Sequence, residues 1–83
     1  MRAAVEISMY PLTGEYRPAI RAFIERLKSR ADWIVRSNAM STQVWGELGE
    51  LMRGLSDEMT RAAAEGPQLV FVVKVLPGLA PPP

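Results

Sequence analysis

Neither cysteine nor histidine occurs anywhere in the chain. Without cysteine there are no disulfide staples and no thiol nucleophiles; without either residue the usual ligands of a structural zinc site and the commonest general base are gone. A cysteine-free chain also suits a reducing compartment, and a cytoplasmic location is expected. Long apolar runs are missing as well. None approaches the ~18 residues that span a bilayer, and the N-terminus lacks the basic, apolar and small-residue order of a signal peptide, so no membrane association is expected. Charge of one sign is not in excess: ten Lys and Arg stand against nine Asp and Glu, for a net charge of +1. That leaves no electrostatic footprint for nucleic acid. Gly46-Glu-Leu-Gly49 fits neither a Walker nor a Rossmann phosphate loop. Asp57 and Glu58 are adjacent acids, but as charged residues of a helix they are expected on its exposed face. No catalytic machinery, metal or cofactor emerges, and the chain is read as a non-enzyme.

At 83 residues the chain makes one domain, at the small end of what folds alone. Small scaffolds lean on disulfides, metals or oligomerisation, and elimination leaves self-association. The domain is expected over residues 1–77, with 78–83 as a Pro-rich tail. Charges segregate along it. Residues 15–30 are mainly basic and 47–65 mainly acidic, which reads as two solvated helix faces or, alternatively, as helices of neighbouring subunits that attract each other.

Hydrophobic periodicity gives the elements. Val5, Ile7 and Met9 alternate with Glu6, Ser8 and Tyr10, predicting a half-buried strand over 3–10 that Pro11 and Thr13-Gly14 end. Tyr16, Ile20, Phe23, Ile24 and Leu27 make the apolar stripe of a helix beginning near Glu15, with Pro18 tolerated in its first turn. Residues 32–37 and 40–46 read as two strands of a hairpin reversing at Asn38 and Ala39. Leu48, Leu51, Met52, Leu55, Met59 and Ala62 stripe a second helix over 47–65, with Gly66 as its cap residue and Pro67 as its stop. Within it, Gly54 suggests close packing and Gly49 a bend near a ligand. Residues 68–76 are apolar on alternate positions of both faces, which implies burial on both.

The order β-α-β-β-α-β with right-handed crossovers puts two helices on one face of a four-stranded antiparallel sheet, an α+β sandwich. The other face stays open. It is expected to carry Val70, Val72 and Trp33 or Trp45 beside Glu6, Ser8, Tyr10 and Lys74, a composition that suits a subunit interface, a ligand pocket or both. Tyr10 and the tryptophans can stack on a flat ring. Ser8, Asn38, Ser41 and Thr42 can orient a ligand by hydrogen bonds, although turn chemistry alone also accounts for Asn38 and Ser41. Glu6 and Glu47 can accept a ligand N–H or balance a cation, while Glu47 also suits a helix N-terminus.

The segments Glu6-Ile-Ser-Met-Tyr-Pro-Leu12, Tyr16 with Ile20, Phe23 and Ile24, Asn38-Ala-Met-Ser-Thr42, and Gly46-Glu47 together resemble the YkoF-like thiamine/hydroxymethylpyrimidine-binding family. The resemblance covers roughly residues 4–76. It implies a ferredoxin-like fold, a bound thiamine or hydroxymethylpyrimidine for salvage or transport, and sheets of different domains packed together. Some members carry two such domains; a single one implies a homodimer or homotetramer through the open sheet face. Ser8, Tyr10, Thr42 and Glu47, then Glu6, Asn38 and Ser41, are the implied ligand contacts. The competing expectation is a structural or regulatory module whose open sheet serves oligomerisation alone.

Overall fold

In the computed structural model, residues 1–12, 14–66, 68–79 and 81 are described. The elements are β1 (Arg2–Pro11), α1 (Arg17–Lys28), β2 (Ile34–Ser37), β3 (Thr42–Glu47), α2 (Leu48–Glu65) and β4 (Leu69–Pro77). The strands form one antiparallel sheet in the order β2-β3-β1-β4. Both helices cover the same face, giving the expected ferredoxin-like α+β arrangement. Alternation along β1 sets the layers. Ala3, Val5 and Ile7 point to the helices and meet Phe23 and Leu27 of α1, Val44 of β3, and Leu51, Leu55 and Ala62 of α2. Glu6, Ser8 and Tyr10 point away from them.

Several local expectations shift. The second strand starts at Ile34, not Asp32, because Trp33 turns toward α2. A Cβ added at Gly54 would come within 2.5 Å of the Trp33 ring, so this glycine is where indole and helix backbone meet. Trp33 is therefore not on the open face. Trp45 is, yet it is only 8% exposed, and its indole Nε1 has no hydrogen-bond partner among the described residues. The third strand starts at Thr42 rather than Met40, because Asn38 Oδ1 accepts the backbone N–H groups of Met40 (2.8 Å) and Ser41 (3.1 Å) and holds them in a turn.

Helix α1 begins at Arg17, with proline in its first turn. Helix α2 begins at Leu48; Gly49 lies in its first turn, donating its N–H to Glu47, rather than at a bend. Gly66 closes α2 in an extended conformation, not a left-handed one. Met52, assigned to the apolar stripe, is exposed. Burial of β4 on both faces does not hold within the chain, where Val70 and Val72 are exposed.

Glu58 overturns the solvated-face assignment. It is 7% exposed and receives Arg26 Nε at 3.0 Å and Arg30 Nη2 at 3.0 Å. The basic and acidic helices thus pair within one subunit, with Arg26 also 3.5 Å from Glu65. The turn at Thr13, the stop at Pro67 and tail residues Ala80, Pro82 and Pro83 lie outside the described residues. No helix among those described is long and apolar enough to cross a membrane.

Candidate functional site

Strand lengths create the site. Pairing of β1 with β3 ends at Ile7↔Thr42, whereas pairing with β4 continues to Pro11↔Leu69. Residues Ser8 to Pro11 therefore overhang, with no strand beside them on the β3 side. Antiparallel backbone groups alternate in the side to which they point. Leu12 N–H donates to Gln68 O and Gly78 N–H to Arg2 O, so even-numbered residues of β1 turn toward β4. Leu48 N–H donates to Met1 O, so odd-numbered ones turn toward β3. By the same alternation the N–H and C=O of Met9 enter the vacated lane unpaired by any strand. The carbonyl of Pro11 lies beyond them.

That lane opens into a cavity of about 470 Å³ between the β1 overhang, α1 and the β2–β3 turn. Its volume is in the range of small-molecule sites. Helix α1 contributes Ile20, Phe23 and Ile24, preceded by Tyr16; β1 contributes Ile7 and Met9, followed by Leu12; the turn contributes Met40. Polar groups come from Ser8, Ser37, Asn38, Ser41 and Thr42, with Tyr10 at the edge. No side chain in the described lining carries a charge.

Hydrogen bonds separate the polar groups that hold the turn from those free to meet a ligand. Asn38 spends its Oδ1 on the turn. Ser41 donates to Glu6 Oε2 (3.1 Å) and accepts from Gln43 Nε2 (2.9 Å). Thr42 and Ser37 share one hydrogen bond between their hydroxyls at 3.1 Å, which leaves one hydroxyl hydrogen of the pair unspent. Thr42 is buried. Ser8 reaches Met40 O only at 3.5 Å. Tyr10 is 53% exposed, standing on the open face at the cavity mouth.

Of the residues singled out in the sequence, the structure brings Ser8, Tyr10, Asn38, Ser41 and Thr42 to one cavity. It does not bring Glu6 or Glu47 to the lining. Glu6 lies on the open face, 3.5 Å from Lys74 Nζ, and steadies the turn through Ser41. Glu47 is at the far end of β3. There it caps α2, accepting the N–H groups of Gly49 (2.9 Å) and Glu50 (3.0 Å), with the Met1 ammonium 3.7 Å away. Those backbone N–H groups, Gly49's foremost, hold its carboxyl below the ordinary carboxylate range. Its position is that of a helix cap, away from this cavity.

Sequence reading missed Ser37, the side of Tyr16 and Ile24 that faces the cavity, and the Met9 backbone. The signal for the last was available: Asn38 can hold a turn through its own side chain, and a turn running to Ser41 leaves a third strand too short to cover the end of the first. No cluster of acidic side chains that could hold a metal ion occurs among the described residues.

No protein-family model and no curated protein matches the sequence. Solved structures do match. Protein SP2199 from Streptococcus pneumoniae aligns at 27% identity and a TM-score of 0.85, over 95% of this chain and 89% of its own. Hypothetical protein MJ1052 from Methanocaldococcus jannascii aligns at 24% identity and a TM-score of 0.78, over 89% and 77%. A Thermotoga maritima protein provisionally assigned to thiamine biosynthesis/salvage aligns at 19% identity and a TM-score of 0.82, over 92% and 83%. At these identities the likeness to the last two is one of fold.

Proposed function

We propose that the chain binds a small, uncharged, planar heteroaromatic molecule in this cavity, with an aminopyrimidine such as hydroxymethylpyrimidine as the best fit. The observation that carries it is the register that leaves the N–H and C=O of Met9 without a described strand partner, at the wall of an apolar cavity whose described lining is uncharged. An exposed strand edge offers a donor and an acceptor side by side, and an aminopyrimidine offers the complementary pair. The Ser37–Thr42 hydroxyls and Ser8 supply further polar contacts, and Tyr10 or Tyr16 a stacking face. The YkoF-like resemblance and the thiamine-related Thermotoga structure agree with this ligand class.

Thiamine itself carries a cationic thiazolium, and no carboxylate among the described residues lines the cavity to balance it, so the neutral pyrimidine is the preferred form. The role is binding, in salvage or transport within the cytoplasm, rather than turnover. Calorimetric titration tests this: hydroxymethylpyrimidine should give saturable heat, thiamine should bind at least tenfold more weakly, and Thr42→Val should weaken the pyrimidine about tenfold, the worth of one hydrogen bond. Absence of heat at millimolar hydroxymethylpyrimidine would sink the proposal.

The second reading, an interaction module, rests on the exposed Ile34, Val70, Val72 and Leu76 of the open sheet face. It predicts self-association with no response to either ligand.

A further inference from the structure

The cations of α1 and of the turn after it divide between two flanks. Arg26 and Arg30 turn to Glu58 of α2. Arg17, Arg21 and Lys28 follow one another at spacings of four and seven residues, which sets them on one flank, about half a turn around the helix from Arg26. There they line a groove of about 320 Å³. Among the described residues no carboxylate forms an ion pair with any of the three. Glu25 is the one acid in the described lining, so positive charge is in excess there.

Groove and cavity adjoin. Ile20, Ile24 and Ser37 line both, so the two isoleucines form a ridge with the uncharged cavity on one side and the cations on the other. Arg17 is tied to this boundary, its guanidinium 5.9 Å from the ring centroid of Tyr16, which lines the cavity. Ser37 stands at the same boundary, 3.1 Å from the Thr42 hydroxyl. When Thr42 donates to Ser37, the Ser37 hydrogen is left to donate into the groove.

We propose that the ring in the cavity carries a phosphate which this groove receives, so that the preferred ligand is the phosphomonoester of a heteroaromatic alcohol. The inference rests on the cavity reading above and adds an anionic end to its neutral ring. Charge decides the class. A phosphomonoester bears about −1.5 to −2 at pH 7, which matches three cations set against one carboxylate better than the single charge of a carboxylic acid. In a hydroxymethyl phosphate the phosphorus is three bonds from the ring, which carries the anion out past Ile20 while the ring stays beside Met9. Arg21, one turn from Arg17, offers its planar guanidinium to two phosphate oxygens. Arg17 and Ser37 meet the ester end. Lys28, about 10 Å farther along the axis than Arg21, adds attraction without contact.

Calorimetric titration of the full chain in phosphate-free buffer compares hydroxymethylpyrimidine with its phosphate ester. The ester should bind at least tenfold more tightly, and this preference should shrink with added salt. Arg21→Gln should cut the preference to less than about threefold. Arg61→Gln, an exposed cation of α2, should leave it in place. Both positions are on the surface, and circular dichroism checks the fold. Heat from the alcohol without tighter binding of the ester overturns the phosphate site and leaves the cavity reading standing. A preference that R21Q does not lower, or that R61Q lowers equally, overturns it too, because the phosphate then sits elsewhere. No heat from either ligand removes the cavity reading and the phosphate site with it.

Discussion

Glu58 is held by two guanidinium groups at once, and Arg30 in turn stacks on the Trp33 ring at 4.9 Å. A carboxylate so buried is tolerable only while both partners remain, because truncating one member of a buried ion pair leaves uncompensated charge behind. Glu58→Ala should therefore lower stability by about 3 kcal/mol, read as a fall in the urea midpoint with an unchanged slope. A surface carboxylate would lose less than about 1 kcal/mol, and a shift that small would return Glu58 to the solvated face that its charge alone suggested. The burial was legible in position if not in residue type. Glu58 falls three residues after Leu55 and four before Ala62, squarely on the apolar stripe. What the sequence hid was which arginines would come to meet it, since that depends on how α1 crosses α2.

At the scale of elements, strand and helix identity were legible because each buries one face, and alternation or a helical stripe records that. Ends were not, because single hydrogen bonds set them. Asn38 shortens β3 and so uncovers Met9; Glu47 starts α2. Glu47 also links this element to pH. Its folded-state pKa is depressed by the N–H groups it caps, so its contribution is fully present above the unfolded-state value and is lost as pH falls through the lower, folded one. The stability difference between the unmodified chain and Glu47→Gln should accordingly be constant near neutrality and shrink once pH drops into and below the carboxylate range. Parallel denaturation curves from pH 7 down to about 2.5 measure it. A difference that stays constant across that range would mean the cap works through geometry that the amide reproduces, not through charge.

At the scale of the molecule, the burial of side chains is uneven. The core is concentrated where β1 and β3 meet the two helices, and β4 is left with one covered partner, β1, and two half-exposed faces. A domain of 83 residues without disulfides has little stability to spare, so any surface that the open sheet face buries against a second copy, as the interaction-module reading requires, enters directly into its unfolding. For a dimer that unfolds to two chains, a tenfold rise in protein concentration favours the folded side by about 1.4 kcal/mol per dimer. With an unfolding entropy of about 2.1 cal/mol/K per residue summed over both chains, that raises Tm by about 4 °C. Thermal scans at 2, 20 and 200 μM should climb by up to this step each time. A smaller, still positive step corresponds to copies that separate before they unfold. A Tm that stays flat over the hundredfold range would mean that the open face meets no second copy, and that the single chain is stable with that face bare.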